Sequence, residues 1–363
     1  MDSTPLVSVV VPCFNAGPML RPAMLSVIEQ IYPNIEIIVV DNNSTDGSLE
    51  IAERIAKTDR RRPIQVTKCA VQGANSARNW GYRFAHGEFI QWMDADDSLD
   101  PEKIALQVKA LQQNSGDDIA YGDWTARWIK PAKPRAEQPR KLQQVDDQLL
   151  RTLAGIWYPP HLYLLRRSAA QQLQKVQGWW PARKVATDIE YSAIAALLGL
   201  RFRHVAGAHV YYNIWSTTQI SGGTPYAERV AALAAIFLRL QQFAASDQTK
   251  AALTSRHRIL LNQNWQVWSL PRNTAFLTEL PDRRFRLRDA QTGNEVELQP
   301  WEAAIAMALM AAPRPLTSFH YALLLTEAAK TTNDPVLIVQ TIERLQREGF
   351  LRPATGEHTA LAM

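Results

Sequence analysis

Four aspartates directly follow apolar runs of the sequence, where their carboxylates can act together. Asp41 follows the run 35–40, and Asp94, Asp96 and Asp97 follow the run 88–93. Asp94 and Asp96 are one residue apart, so at the end of a strand both can point to one side and share a hard cation with diphosphate oxygens. The alternative is a solvated acidic turn that caps the next helix, but Asp100 already supplies that cap. The pattern indicates a site for a divalent cation and a diphosphate ligand such as a nucleotide sugar.

Apolar runs alternate with helical patterns through the first third of the chain, and this alternation predicts the elements that carry those aspartates. It is typical of an α/β fold whose mainly parallel sheet has helices on both faces and ligands at the carboxyl ends of its strands. The predicted strands are 6–11, 35–40, 64–68, 88–93 and 119–124, and the predicted helices are 18–30, 46–59, 74–85 and 101–114.

Several classes of function are excluded by motif and composition. Only one glycine, Gly17, follows the first strand, so the glycine-rich turn of dinucleotide-binding folds is missing, and no Gly-Lys-Ser/Thr phosphate loop occurs. Two cysteines, Cys13 and Cys69, cannot build a disulfide framework or a multi-thiolate zinc site, so oxygen atoms must hold any metal. The net charge is +5, from 40 Lys and Arg against 35 Asp and Glu, which does not amount to a nucleic-acid footprint.

Four sequence motifs, in order, resemble the family 2 glycosyltransferases of the GT-A fold. The likeness is strong over about residues 5–125 and continues weakly to about 221. It implies inverting transfer from a nucleotide-diphosphate sugar, with Mn²⁺ or Mg²⁺ bound through Asp94 and Asp96. The motifs are residues 7–15 (VSVVVPCFN), 37–48 (IIVVDNNSTDGS), 77–79 (ARN) and 94–97 (DADD).

The same resemblance assigns residues to the donor. Asp96 is implied as the direct metal ligand, and Asp94 as a contact to the nucleoside or the donor sugar. Phe14 is placed to stack on the nucleobase, with core packing as the alternative. Arg78 faces either phosphate or a surface ion-pair partner. The remaining residues implied at the donor site are Pro12, Asn15, Asp41 and Asn42, and because the family usually has aspartate at position 42, the base stays open.

The base that takes the acceptor's proton is expected in the late acidic motif of the family. Asp188 matches it, with Thr187 in place of the first acid, and Glu190 is the substitute; an ordinary helix cap is the alternative for Asp188. Trp179 and Trp180 match a segment near the acceptor, as its floor or as core. In the predicted closing loop 211–221, Trp215 stands where many relatives have histidine, so a contact could shift to Asn213 or Gln219.

The sequence predicts three regions: a GT-A glycosyltransferase domain at 1–221, a helical linker at 222–282 and a winged-helix-like interaction domain at 283–363. The last region loosely resembles PqqD-like elements that hold leader peptides. Its helix 318–330 has few basic residues, which argues against DNA binding. The remaining roles are docking of a peptide or protein, or a lid that stabilises a homodimer or the catalytic domain.

The acceptor is expected to be a saccharide, a lipid-linked molecule or a peptide. A non-catalytic sugar-nucleotide-binding or regulatory protein is the competing class. No apolar run approaches the ~20 residues of a membrane-spanning helix and residues 1–12 lack signal-peptide features, so we expect a cytoplasmic protein, with peripheral membrane attachment left open.

Overall fold

The computed structural model divides the chain into two compact units, Met1–Asp146 with Tyr158–Thr224 and Asp147–Trp157 with Pro225–Met363. It describes residues 4–129, 136–153, 157–176, 178–182, 185–215, 232, 235–236, 239–245, 253–263, 267–269, 275–280, 284–299, 302–303, 306, 316–317, 335–350 and 352–353.

Among the described residues, the strands of the first unit form one mixed sheet in which most of the paired residues run parallel. The strands are β1 (Val7–Cys13), β2 (Ile35–Asp41), β3 (Ile64–Lys68), β4 (Phe89–Trp92), β5 (Ser98–Leu99), β6 (Ile119–Ile129), β7 (Gln138–Arg140), β8 (Leu164–Arg166) and β9 (Phe202–Trp215). Their order is β3-β2-β1-β4-β8-β6-β9-β5, with β7 paired to β6. This sheet and its covering helices confirm the predicted α/β fold with a mainly parallel sheet.

The register of the parallel half brings the strand ends to one edge. β1 pairs with β2 from Val7 opposite Ile35 to Cys13 opposite Asp41, and it pairs with β4 up to Val10 opposite Trp92. Every residue of β1 is buried, as expected for a continuous apolar strand covered on both faces. The segments that follow β1, β2 and β4 therefore leave the sheet side by side.

The four helices predicted at 18–30, 46–59, 74–85 and 101–114 begin and end within three residues of those positions, and the helix Arg167–Lys175 was not predicted. We number the helices of the first unit together with the short α5 of the second unit. They are α1 (Leu20–Ile28), α2 (Ser48–Thr58), α3 (Ala74–Tyr82), α4 (Lys103–Gln113), α5 (Gln148–Leu153), α6 (Arg167–Lys175) and α7 (Thr187–Leu197). The largest difference is at the end of α3, which stops at Tyr82, three residues before the predicted end. α4 begins at Lys103, two residues after the predicted start. Asp100 is not its N-cap, but its carboxylate accepts the backbone N–H of Glu102 at 3.1 Å and so still organises the turn before the helix.

For the second unit, the sequence pattern predicts a hairpin of strands 283–289 and 294–298 and a last helix at 335–348, and the structure contains both. α8 (Ser255–Gln263) packs against α5, and α9 (Pro335–Arg347) is followed by Gly349 at φ 79°. Three antiparallel strands form a sheet in the order β11 (Ala275–Glu279), β12 (Phe285–Asp289) and β13 (Glu295–Leu298), and β10 (Val267–Ser269) pairs with β14 (Leu316–Thr317) and β15 (Arg352–Pro353). The predicted helix 318–330 lies outside the described residues, so the winged-helix arrangement and the domain boundaries stay predictions. No helix among the described residues is long and apolar enough to cross a membrane.

Gly122 is needed where β6 passes close to β9, at the irregularity in the register between Tyr121 and Asp123. A Cβ on residue 122 would overlap the carbonyl oxygen and carbonyl carbon of Ala208, which are backbone atoms that cannot turn away. We expect Gly122→Ala to lower the free energy of unfolding by about 3 kcal/mol. Thermal or urea denaturation checks this, with Gly116→Ala as the control, because a Cβ there meets only the side-chain end of Arg201. Equal stability of the two variants would contradict the argument.

Candidate functional site

The loops that follow β1 and β2 are joined to each other and leave Phe14 on the surface. The backbone N–H of Asn15 donates to Ser44 Oγ at 3.1 Å, and its side-chain oxygen accepts the N–H of Thr45 at 2.8 Å. Asn15 has φ 47°, a left-handed conformation that asparagine tolerates. The exposed fraction of Phe14 is 47%, so core packing is excluded and the ring is available to stack on a planar group.

Asn42, at the end of β2, fixes the segment 69–73. Its side-chain NH₂ donates to the carbonyl oxygens of Cys69 and Val71, both at 2.8 Å, and its side-chain oxygen accepts the backbone N–H of Gly73 at 2.6 Å. The residue is 1% exposed, so both ends of the amide are used inside the protein. The neighbouring Asp41 is also buried, and Pro12 is buried beside it on β1. Contact of these three residues with a nucleobase stays a prediction.

Arg78 of α3 forms a buried ion pair with Asp94, instead of the surface ion pair that the sequence left open. Its Nη2 lies 2.5 Å from Asp94 Oδ1, and its Nη1 donates to Asn75 Oδ1 at 3.1 Å. The guanidinium carbon lies 4.4 Å from the ring centre of Trp179. Burial alone would raise the pKa of Asp94, but the charge of Arg78 and the nearby His161 hold that pKa below its ordinary value. Asp94 is therefore a carboxylate.

Trp179 is part of the core and does not form an acceptor floor. It is 1% exposed and stacks on Tyr191 with 4.0 Å between ring centres and 6° between planes. The side chain of Asn79 accepts the N–H of Trp179 at 3.1 Å and donates to its carbonyl oxygen at 2.5 Å. Asn75 donates to the carbonyl oxygen of Trp180 at 2.8 Å. Asn79 of the 77–79 motif thus holds the backbone of Trp179, and the ring of Trp179 supports Arg78 of the same motif.

Residues 94–97 form a turn closed by a backbone hydrogen bond of 3.4 Å from the N–H of Asp97 to the carbonyl oxygen of Asp94. Asp97 is 1% exposed, and its Oδ1 accepts the backbone N–H of Asn213 at 2.6 Å. Burial, together with the charges of Asp96 and Asp94, raises the pKa of Asp97 well above its ordinary value. The three aspartates therefore differ: Asp97 is buried inside the protein, while Asp94 and Asp96 keep contact with solvent.

The end of β9 lies against the same turn. The carbonyl oxygen of Asp96 accepts from Asn213 Nδ2 at 3.0 Å and from the indole N–H of Trp215 at 2.9 Å. Trp215 thus contacts the backbone of the acidic turn. Gln219 and the rest of the predicted closing loop lie outside the described residues.

His161 is the residue at this site that the sequence analysis missed. It lies in the short helix Pro160–Leu162, has no exposed surface, and places Nδ1 3.2 Å from Asp97 Oδ2 and 4.0 Å from Asp94 Oδ2. Donor atoms of Asp94, Asp97 and His161 all lie within 4.8 Å of one another, and neither ring nitrogen has an aligned hydrogen-bond partner among the described residues. Its only signal in the sequence is a histidine in an apolar, aromatic segment.

Asp188 is in the first turn of α7, and its pKa responds to the charges of the Arg78–Asp94 ion pair. Burial raises its pKa to about 6, backbone N–H groups of Ile189 and Asp188 and the charge of Arg78 oppose the rise, and the charge of Asp94 adds to it. Glu190 is 3% exposed, and side chains two residues apart on a helix point in different directions. Asp188 and Glu190 cannot therefore serve the same position without movement.

The aspartates fit a divalent cation by their chemistry, since Mg²⁺ and Mn²⁺ prefer carboxylate oxygen and Mn²⁺ also accepts imidazole nitrogen. Asp94 and Asp96 reach solvent at the strand end, and the buried His161 places Nδ1 4.0 Å from the Asp94 carboxylate. Metal binding by this group stays a prediction.

Residues 8–173 match the family described as Glycosyl transferase family 2. The chain is 37% identical over 169 residues to the uncharacterized glycosyltransferase EpsJ of Bacillus subtilis (strain 168), which is 45% of this chain and 48% of that protein. The chain spans about half the length of the first curated relatives it matches.

Two solved structures show the same fold. One is the mannosyltransferase PcManGT from Pyrobaculum calidifontis, in complex with GDP-Man and Mn²⁺, with a TM-score of 0.52 and 18% sequence identity. The match covers 95% of this chain and 88% of that chain. S. aureus TarS 1-349, in complex with UDP-GlcNAc, has a TM-score of 0.51 at 17% identity, with 97% of both chains covered.

We expect Asn42→Asp to destabilise the protein, because a carboxylate would replace the NH₂ group that now donates to two buried carbonyl oxygens. A loss of about 3 kcal/mol in the free energy of unfolding at pH 7 is the expected size. Asn43→Asp is the matched control, since the Asn43 side chain is exposed and its backbone has the left-handed φ of 65°. Urea denaturation of both variants measures the difference, and an Asn42→Asp protein as stable as the wild type would contradict this role for the amide.

Proposed function

We propose that this chain is an inverting, metal-dependent glycosyltransferase that moves a sugar from a nucleotide-diphosphate sugar, with a UDP-sugar as the expected donor. The observation that carries the proposal is the arrangement of Arg78, Asp94 and Asp188 beside the acidic turn at the carboxyl end of β4, within a domain that matches family 2 glycosyl transferases. Positive charge, a cation-binding turn and a carboxyl group of raised pKa are the parts that such a transfer needs.

The donor is proposed to lie across the ends of β1, β2 and β4. Phe14 presents an exposed ring next to Asp41 and Asn42 for the base, and Asn15 keeps that loop in place. The solved structures of similar fold carry GDP-Man with Mn²⁺ in one case and UDP-GlcNAc in the other, and we extend only the nucleotide-sugar class to this chain.

Asp94 and Asp96 are proposed to hold Mn²⁺ or Mg²⁺. The bound cation would offset the negative charge that grows on the leaving diphosphate, an effect worth several kcal/mol. Arg78 acts through Asp94: the ion pair fixes the carboxylate in its ionised form before any cation is present.

Asp188 is proposed as the general base. It would take the proton from the acceptor hydroxyl while that oxygen forms its bond to the anomeric carbon and the bond to the diphosphate breaks on the opposite face, which inverts the configuration. A carboxyl pKa of about 6 makes Asp188 a stronger base than an exposed aspartate while it remains mostly ionised at neutral pH.

The acceptor is proposed to be a saccharide, a lipid-linked molecule or a peptide. The second unit offers the open strand edges of the three-stranded sheet β11-β12-β13 among its described residues, an arrangement that can accept an extended peptide by strand addition. Contact of that unit with a second copy of the chain is the competing role.

The first test is a donor screen by hydrolysis, in which UDP-, GDP- and dTDP-sugars are incubated with the protein and Mn²⁺. Release of the nucleoside diphosphate from one of them, stopped by a chelator, is the expected result. Metal-dependent binding without any turnover, even with added saccharide and peptide acceptors, would favour the competing class of non-catalytic sugar-nucleotide-binding protein.

Asp96→Asn is expected to lower transfer by about 10²-fold or more, because several kcal/mol of charge stabilisation would be lost with the metal ligand. The exposed Asp146→Asn is the control for loss of one negative charge. Steady-state rates against Mn²⁺ concentration make the comparison, with circular dichroism to verify folding. Full activity of Asp96→Asn, or of the wild type in excess chelator, rules out the metal role.

For Asp188, we expect the wild-type rate constant kcat/KM to fall as pH drops through about 6, since protonation removes the base. Asp188→Asn should lose that acidic limb and turn over about 10²- to 10⁴-fold more slowly with unchanged donor affinity. A pH–rate profile with parallel calorimetry of UDP binding tests both. If Asp188→Asn keeps the fall in kcat/KM at acidic pH, another residue is the base, and Glu190→Gln is then the next substitution to test.

A further inference from the structure

One buried side chain, His161, faces the carboxylates at both ends of the acidic turn 94–97. We propose that His161 and Asp97 form a bracket that keeps this turn in its cation-binding shape and that His161 is a positioning residue for Asp94. The inference rests on the proposed function, because binding a cation is the purpose of the bracket. The experiment that tests it measures metal affinity and not sugar transfer.

The first support is where the imidazole lies. Asp94 and Asp97 are the two ends of the turn, joined by the backbone hydrogen bond of 3.4 Å. His161 Nδ1 lies 3.2 Å from the Asp97 carboxylate and 4.0 Å from the Asp94 carboxylate. Two carboxylates this close repel each other, and an imidazole nitrogen between them, nearer to Asp97, offsets part of that repulsion.

A second support is that the bracket is anchored to the strand that carries the turn. The carbonyl oxygen of His161 accepts from Gln91 Nε2 of β4 at 2.9 Å. The side-chain oxygen of Gln91 in turn contacts Lys103 Nζ, and all three residues are fully buried. The contacts from Lys103 to Gln91 and from Gln91 to His161 therefore fix the backbone of His161 relative to β4, and all of them are buried.

The third support comes from the other side of the turn. Asn213 donates its backbone N–H to Asp97 at 2.6 Å and its side-chain NH₂ to the carbonyl oxygen of Asp96 at 3.0 Å. Asp97 is thus held by β9 on one oxygen and faces His161 with the other. With both ends of the turn fixed, Asp96 is left between them as the residue whose side chain can meet a cation arriving from solvent.

Burial favours a positioning role over direct ligation by His161. A cation that enters with each nucleotide must exchange with solvent, yet His161 has no exposed surface and Asp97 only 1%. Asp94, at 22% side-chain exposure, is the member of the three that solvent reaches. Groups behind a metal ligand that orient it typically change metal affinity or activity by about 10- to 100-fold when removed.

The test compares His161→Leu with His161→Asn. Leucine keeps much of the volume but offers no donor, whereas an asparagine Nδ2 can stand near the position of the imidazole Nδ1. We expect His161→Leu to weaken Mn²⁺ binding in the presence of UDP by about 10- to 100-fold. His161→Asn should stay near the wild-type affinity, and excess Mn²⁺ should restore much of the rate of His161→Leu. Calorimetric titration of MnCl₂ into protein with and without UDP measures this.

His257→Leu is the matched control, because His257 is a buried histidine of the second unit whose Nε2 lies 2.8 Å from Asp147. It should lower stability and leave Mn²⁺ affinity unchanged. Should His161→Leu fail to fold, Asp97→Asn is titrated instead, since its side-chain oxygen can still accept from Asn213.

Two results would overturn the inference. Equal Mn²⁺ affinity of wild type and His161→Leu would show that the bracket does nothing for the cation. Equal losses in His161→Leu and His161→Asn, with a changed preference between Mn²⁺ and Mg²⁺, would make His161 a direct ligand. Failure of the proposed function has a different signature, namely Mn²⁺ and UDP binding by the wild type without turnover of any nucleotide sugar.

Discussion

Repulsion among three carboxylates within four residues is the constraint around which this site is built. Asp94, Asp96 and Asp97 follow a fully buried strand, where water screens charge poorly. The repulsion is reduced in a different way at each carboxylate. Arg78 forms an ion pair with Asp94, Asn213 donates a hydrogen bond to Asp97, and Asp96 keeps contact with solvent. The result is a turn whose carboxylates are each stabilised by a partner or by solvent, as the proposed binding of a cation requires.

The supports of Arg78 show how far this arrangement extends into the fold. Its guanidinium lies over Trp179, which stacks on Tyr191 of α7, the helix that also carries Asp188. Asn79 holds the backbone of Trp179 from the same helix as Arg78. One aromatic stack therefore joins the residues proposed to bind the metal to the proposed base, and a change in that stack is expected to affect both.

The sequence predicted the parts of this site that depend on local pattern. Apolar runs that end in aspartate gave the strand ends, and alternation of strands and helices gave the sheet, because burial on both faces requires continuous apolar strands. The start of α4 was placed two residues early, since Asp100 and Pro101 satisfy the rules for a cap while the chain uses them in the preceding turn.

What the sequence could not give were contacts between distant segments. His161 lies 64 residues after Asp97 in the chain (161 − 97), and nothing in the composition of its segment distinguishes a buried histidine that faces two carboxylates from one in an ordinary core. The same holds for Asn42, whose amide is committed to residues 69–73, and for Trp179, where core packing and an acceptor floor have the same local sequence. These outcomes depend on tertiary packing that one sequence does not encode in any local pattern.

The position of the cation tests the central claim most directly. Anomalous scattering from Mn²⁺ in crystals grown with UDP would locate the ion without reference to activity. The account predicts a Mn²⁺ peak within coordination distance of the Asp94 or Asp96 carboxylate and of the diphosphate, with the Arg78–Asp94 pair intact. UDP bound at the ends of β1, β2 and β4 with no Mn²⁺ peak at the acidic turn, or a peak at another site, would contradict it.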